Sequence, residues 1–345
     1  MDPIRLAVVG AGAQCTESLM PGIPYIEEID LVAVCDLQEE LAARNARNFG
    51  ARAAHTDVAT MLRDETPDAV MVVGPPQVHL DVGLQVIEAG CHLFIEKPAA
   101  PTIEGARQLV DAAAAKGVVG QVGHMMRHAD PIRIAADFAA ADDFGEVLSV
   151  ESRYTTWPTR QLSPDKGWGT PDEDWSYMMV QGGHPIDLIR HFLGPIARVA
   201  AFRAHGAGSA KVYQVSLESV AGKVGFLNLQ DSYNGWTTGL EIVGDKMAIV
   251  TVDDLGRVSF RRGECHVEAE RGTKGNSTYV WEPHHTLTKW QRSGYGTQLQ
   301  HFAGCIQAGE SPMPSLYDGY RNLVVGQAIL DACESGQVVA VPADD

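Results

Sequence analysis

The chain predicts an α/β protein in two parts. The first is an N-terminal doubly wound parallel sheet, and the second is a C-terminal α+β part with a large, mostly antiparallel, open-faced sheet. Three observations carry this. A length of 345 residues with 45% hydrophobic content exceeds what one apolar centre usually organises, so two domains are expected. From residue 4 to about 124, short β-branched runs alternate with longer helical stretches, the pattern of successive βα units on a parallel sheet. From Glu146 onward the alternation becomes that of extended strands with short Gly- or Asp-containing connections, which points to antiparallel pairing.

Taken in order, strands are expected over residues 4–9, 31–35, 69–73, 92–96 and 118–122. Between them, Leu37 to Phe49, Val78 to Ala89 and Thr102 to Lys116 have helical composition, the last two stopping at Gly90 and Gly117 as left-handed end residues. Asp130-Pro131 reads as the N-cap and first residue of a further helix. Val212 to Leu217 and Val224 to Leu229 are expected strands, and helices return near 181–193 and within 296–335. The expected division is 1–125 for a nucleotide-binding part and 126–345 for a substrate-binding and oligomerisation part.

Composition narrows the function classes. Twenty-seven Lys plus Arg against 44 Asp plus Glu give a formal charge of −17, which repels phosphate backbones and anionic lipid, so neither nucleic acid nor membrane is an expected partner. No apolar run approaches the ~20 residues of a membrane span. The run Leu6 to Val9 before Gly10 is too short for a signal-peptide core, so a soluble, cytoplasmic chain is expected. Six cysteines are scattered without a C-x-x-C pair and read as reduced small hydrophobes, with no metal site expected.

Gly10-Ala11-Gly12-Ala13-Gln14-Cys15 follows an expected strand and opens a helix, and Asp36 ends the next strand. This is the dinucleotide-binding arrangement of a Rossmann domain. Gly10 permits the tight turn, Gly12 lets the backbone approach a pyrophosphate at a helix N-terminus, and Cys15 stands where a third glycine is usual. Asp36 can accept from both ribose hydroxyls and would repel a 2′-phosphate, while Leu37 and Gln38 bring no offsetting cation. NAD is therefore expected over NADP. An N-cap for the following helix is the other reading of Asp36.

Glu96-Lys97-Pro98 closes the strand expected over 92–96, at the carboxyl end where open α/β sheets place ligands. With it the chain resembles the Gfo/Idh/MocA family of nicotinamide-dependent oxidoreductases, named for glucose–fructose oxidoreductase and inositol dehydrogenase. The resemblance spans essentially the whole chain: the Gly-x-Gly loop with Pro21 closing its helix, Asp36, Pro75-Pro76 followed by His79, and Glu96-Lys97-Pro98. It continues through Arg127, Gly145-Glu146-Val147, His184-x-x-Asp187 and Pro314-Ser315 to Asp318-Gly319. It implies that Lys97 orients the reacting oxygen and that Glu96 helps hold the nicotinamide side, with a Lys97–Pro98 bond that is often cis. It also implies cofactor contacts from Gly10, Gly12, Ala13, Gln14, Asp36 and Leu37, and from Gly74, Pro75, His79, Glu96 and Lys97 at the neighbouring strand ends. Independently of family, an ammonium beside the oxygen lowers the cost of alkoxide character as hydride leaves.

Gln181 to Gly194 reads as a helix beginning near His184 and stopping at Gly194. Imidazole can take the hydroxyl proton, which makes His184 the candidate general base; the alternative is a core histidine satisfied by a carbonyl. Many relatives carry an aspartate four residues earlier, where this chain has Val180. Asp187 is a candidate substrate contact or an orienting residue for the helix. By the resemblance, Tyr154 to Tyr177 borders the substrate. Three of the six tryptophans fall between Trp157 and Trp175, which nominates Trp157 and Trp175 as platforms for a sugar or cyclitol, with loop packing the alternative; Tyr154 and Arg127 are substrate contacts that the resemblance implies. Arg160 and Lys166 are surface cations or anion contacts.

The expected activity is an NAD-dependent dehydrogenation of a secondary alcohol on a sugar, sugar derivative or cyclitol. The alternatives are transient oxidation serving elimination or glycoside hydrolysis, and a non-catalytic NAD-binding regulator. Self-association as a homodimer or homotetramer through the open sheet is expected.

Overall fold

The computed structural model describes residues 2–156, 172–206, 210–231, 235–262, 267–268, 274–275, 278–282 and 293–343. Trp157, Arg160, Lys166, Trp168 and Cys265 lie outside them. In chain order the elements begin with β1 (Ile4–Val9), β2 (Ile29–Cys35), α1 (Glu39–Phe49), β3 (Ala53–His55), α2 (Val58–Glu65), β4 (Ala69–Val72), α3 (Pro76–Glu88), β5 (His92–Ile95), α4 (Ile103–Lys116) and β6 (Gly120–Val122). Then come α5 (Asp130–Ala139), β7 (Val147–Thr155), α6 (Glu173–Tyr177), α7 (Gly183–Leu193), β8 (Ile196–His205), β9 (Lys211–Ser219), β10 (Val224–Gln230), β11 (Thr237–Gly244), β12 (Ile249–Asp253) and β13 (Arg257–Arg261). The last are β14 (Val267–Glu268), β15 (Lys274–Gly275), β16 (Thr278–Trp281), α8 (Tyr295–Ala308), α9 (Leu316–Ser335) and β17 (Val339–Ala340).

Two compact units result. The first gathers the chain up to Met125 with the described parts of 163–180 and 288–323; the second holds the described parts of 126–162, 181–287 and 324–345. Among the described residues, no helix is long and apolar enough to cross a membrane.

In the first unit the strand order is β3-β2-β1-β4-β5-β6, parallel throughout, with the order reversing between β1 and β4. Such a reversal leaves a crevice at the carboxyl ends of the strands. The central strands are apolar on both faces because helices cover both: Ala69, Val70, Met71 and Val72 of β4 are all fully buried. Helix α8 supplies Leu299, Phe302 and Ala303 to the same core as Leu6, Val8 and Phe94. Gly10 sits at φ +92°, and a Cβ there would lie 1.9 Å from the Val73 carbonyl oxygen, so only glycine makes this turn.

Several local expectations shift. The pair β3 and α2 was not expected. Ala53–His55 has no β-branched residue, and α2 is short, with Met61 its fully buried residue. Its cap is nevertheless local, Asp57 Oδ1 accepting from Thr60 N–H at 2.8 Å. Helix α1 begins at Glu39 rather than Leu37, because Asp36 Oδ1 holds the Gln38 N–H at 2.9 Å in a turn. The segment after the glycine loop is not one α-helix closed by Pro21 but a π-helical turn, Cys15–Leu19, running into a 3₁₀ segment, Met20–Tyr25, that contains Pro21 and Pro24. Asp130 is the first helical residue of α5 and not its cap, which is Ala129 in an extended conformation.

In the second unit nine strands run β16-β13-β12-β11-β7-β10-β9-β8-β17, antiparallel except for the parallel pair β7–β10. Helices α5 and α7 cover one face. Phe138 of α5 stacks on Phe260 at 4.5 Å, and a Cβ at Gly225 of β10 would meet Leu193 and Ile189 of α7 at 3.0 and 3.1 Å. Strand alternation turns the neighbouring Phe226 outward, and Phe202 and Val338 are exposed as well.

Candidate active site

The phosphate loop is built from hydrogen bonds distant in sequence. Gly10 N–H donates to the Cys35 carbonyl at 2.8 Å, and Ala11 N–H donates to Asp36 Oδ2 at 2.8 Å. Asp36 therefore staples the loop after β1 to the end of β2, and its other oxygen shapes the turn before α1 rather than capping that helix. Ala11 is buried, whereas Gly12, Ala13 and Gln14 are exposed, and a Cβ at Gly12 would meet no protein atom within 4 Å. The loop thus presents backbone to an open side, which fits a pyrophosphate. Leu37, next to Asp36, is 93% exposed and brings no charge of its own to that carboxylate. Cys15 is fully buried among Leu6, Val8 and Phe94, and burial pushes its thiol up, which leaves it packed and unreactive. Gln14 Nε2 donates to Tyr295 Oη on α8 at 3.2 Å.

At the ends of β4 and β5 a second staple forms. His79 is wholly buried, its Nδ1 2.7 Å from the Pro98 carbonyl and its Nε2 accepting from the Gly74 N–H at 3.1 Å. These partners fix the neutral tautomer with the proton on Nδ1, and burial takes the ring down to about 4. His79 thus ties the Gly74-Pro75 loop to the Lys97–Pro98 peptide, which is cis. Lys97 is partly buried, and its Nζ donates to the Val180 carbonyl at 3.1 Å. The acceptor lies in a π-helical turn, Met178–Gly182, following α6. The position that lacks a carboxylate side chain supplies a backbone oxygen instead, and π-helical turns are a frequent feature of functional sites. Burial lowers the lysine's affinity for its proton, and Glu96 opposes that. In the same unit Trp175 Nε1 donates to the Pro101 carbonyl at 3.1 Å, so its polar end is engaged by protein.

The second unit brings His184, Tyr154, Arg127 and Asp187 together. His184 lies in the first turn of α7, is 5% exposed, and stacks obliquely on Tyr154, with 5.9 Å between ring centroids. Trp236 meets Tyr154 edge-on at 6.0 Å between ring centroids. Arg127 binds Asp187 in a two-pronged buried pair, Nε to Oδ2 and Nη2 to Oδ1, both at 2.7 Å. Arg127 and Asp187, each nominated separately as a substrate contact, thus pair with each other and hold α7 near its start.

Two family models match. One, for an oxidoreductase family with an NAD-binding Rossmann fold, covers residues 4–124, and the other, for that family's C-terminal alpha/beta domain, covers residues 140–341. The chain belongs to the Gfo/Idh/MocA oxidoreductase family. Among its relatives is the D-glucoside 3-dehydrogenase of Escherichia coli K12, 29% identical over 76% of this chain and 68% of that protein. The scyllo-inositol 2-dehydrogenase (NAD(+)) of Bacillus subtilis 168 is 26% identical over 97% of this chain and 96% of its own. A crystal structure of a dehydrogenase from Chromobacterium violaceum superposes with a TM-score of 0.86 at 26% identity, covering 97% of this chain and 96% of that one.

Asp36, half-buried at the end of β2, is the carboxylate expected to repel a 2′-phosphate. Asp36→Ala is expected to erode the preference for NAD by about 1.4 kcal/mol, or roughly tenfold in the ratio of dissociation constants. Unchanged selectivity in fluorescence titrations with both cofactors would show that another group reads the ribose. Tyr295, whose hydroxyl lies in the field of Glu96, and the buried Gln121 and Gln298 were not singled out in the sequence. The available signal was a glutamine on the otherwise apolar face formed by Leu299, Phe302 and Ala303 of α8.

Proposed function

We propose that this oxidoreductase is an NAD-dependent dehydrogenase that oxidises a secondary alcohol of a sugar, sugar derivative or cyclitol, or reduces the matching ketone. The observation that carries the reading is Lys97. Its ammonium is held by the Val180 carbonyl at the carboxyl end of the same sheet whose phosphate loop and Asp36 are formed for a dinucleotide. Relatives named for glucosides and inositol support the substrate class.

Bound NAD supplies the hydride acceptor. Gly10, Gly12, Ala13 and Gln14 receive its pyrophosphate, and Asp36, beside the open Leu37, receives the ribose. Gly74, Pro75 and His79 set the edge of the nicotinamide side. Lys97 keeps a positive charge at the reacting oxygen as hydride leaves the carbon, and one of its hydrogens stays on Val180 so that the others are aimed. His184 takes the hydroxyl proton in the oxidising direction and returns it in reverse. Tyr154, Trp157 and Trp175 offer apolar faces to the C–H surface of the ring. Arg127 and Asp187 act on substrate through the placement of α7, since their charged groups are committed to each other.

The division at residue 125, a cytoplasmic location, and a homodimer or homotetramer formed through the open face of the nine-stranded sheet are parts of the same proposal. Purified protein incubated with NAD and a panel of sugars and cyclitols is expected to build up reduced-nicotinamide absorbance with at least one of them. NAD binding with product formed but no absorbance change would move the assignment to transient oxidation; no exchange of hydride with any panel member would remove the dehydrogenase reading.

A further inference from the structure

The sheet face covered by α8 changes from apolar to polar at its carboxyl end. Phe94 of β5 meets Phe302 of α8 edge-on at 5.8 Å, and Gln121, the register partner of Phe94 on β6, donates from Nε2 to the Gln298 backbone carbonyl of α8 at 3.1 Å. Strand alternation puts Glu96 on this same face, one step beyond Phe94. Gly123 leaves the room its carboxyl occupies, since a Cβ at 123 would lie 2.9 Å from Glu96 Oε1.

Glu96, Gln121 and Gln298 are 4%, 0% and 0% exposed. Among the described residues, Glu96 Oε1, Gln121 Oε1 and both side-chain amide atoms of Gln298 are buried without a hydrogen-bond partner, while Glu96 Oε2 accepts from the Lys97 N–H at 3.1 Å. Two amide side chains and one carboxyl are thus each buried with unpartnered polar atoms. A carboxylate there carries an under-solvated charge. A protonated carboxyl removes that charge and turns one oxygen into a donor.

The titratable groups that face this carboxyl come from three elements. Lys97, next in the chain, attracts its charge; Cys15, from the turn after the phosphate loop, and Tyr295, from the start of α8, are both pushed up and stay neutral, Tyr295 to about 12. His79, whose protonation Lys97 also opposes, is neutral too. Burial outweighs Lys97 and lifts Glu96 to about 7.

We propose that Glu96 is a proton-exchange site matched to cofactor charge: it carries a proton in the free protein, releases it to solvent when NAD⁺ binds, and keeps it when NADH binds. The proposal rests on the NAD reading above. The protons balance as follows. A neutral carboxyl and free NAD⁺ become a carboxylate, a bound cationic ring and one H⁺ in the buffer; the uncharged ring of NADH provides no such drive. When hydride neutralises the bound ring, Glu96 takes one proton back from solvent, a proton distinct from the one exchanged at His184. NAD⁺ affinity should therefore rise with pH by up to about tenfold per unit below pH ~7 and level off above it.

Calorimetric titration of the full chain at about pH 6.5, in two buffers of different ionisation heat, reads this directly. NAD⁺ binding is expected to release more than about half a proton and NADH binding close to none, and Glu96→Gln should bind both without release. NAD⁺ binding with no proton release, or release that persists in Glu96→Gln, overturns the proposal. Should that variant fail to fold, the comparison of NAD⁺ with NADH on the unaltered protein decides alone. Infrared spectra of the free protein give an independent reading: a protonated-carboxyl band titrating near pH ~7 is expected, and its absence overturns the proposal whatever the cofactor does. Absence of binding heat with either cofactor overturns the NAD reading instead, a result the infrared band does not share.

Discussion

Lys97→Ala is expected to lower kcat by about 10²- to 10³-fold while leaving the NAD dissociation constant nearly unchanged. The size follows from what the side chain does. Its charge is partly withdrawn from water, and among the described residues its acceptor is the Val180 carbonyl at 3.1 Å, which fixes direction without neutralising the ammonium. A cation held that way stabilises the developing oxyanion most in the transition state and contributes little to holding the dinucleotide. The loss should therefore appear in kcat, with cofactor affinity measured by titration as the control. Near-normal turnover would remove Lys97 from the chemistry. A matching pH signature is expected in the unaltered enzyme. Because burial lowers the lysine's pKa, the alkaline limb of kcat should fall off below the 10.5 of an ordinary lysine. Placing a carboxylate next to it through Val180→Asp should move that limb to higher pH.

Much of this arrangement was legible in the residues, and what was not has physical reasons. Gly10 and Asp36 could be read because their roles follow from local conformation and charge. That Asp36 also ties down the Ala11 amide was not visible, since it joins residues 25 apart. Val180 drew notice for the side chain it lacks, but its contribution is a backbone oxygen, which every residue has and no sequence displays. His79 was read as a cofactor contact by position, whereas its two ring nitrogens hold Gly74 and Pro98 together, a strut that shapes the lysine's peptide. The two sheets were predictable because β-branched runs announce strands. β3 has no β-branched residue and α2 is only eight residues long, so both escaped notice. Burial of Glu96 was the hardest to foresee, because it depends on α8, some 200 residues along the chain, folding back over β5 and β6.

Arg127→Leu is expected to destabilise the second unit by about 3–5 kcal/mol, seen as an early unfolding transition in denaturant. The guanidinium and the Asp187 carboxylate are 4% and 1% exposed at the side chain, and both hydrogen bonds are 2.7 Å. Removing one partner strands the other charge in a place where it has no water, and that penalty dominates the change. The double replacement Arg127→Met with Asp187→Leu removes both charges at similar volume and should recover most of the lost stability. Kinetics of this double variant separate the two roles the pair was assigned. If the pair acts as a strut for α7, the double variant keeps its KM and loses only the part of kcat that depends on the placement of His184. A KM raised tenfold or more, in a variant whose stability has returned, would mean that one of these charges touches substrate after all, and that the bond between them is exchanged for substrate during the reaction.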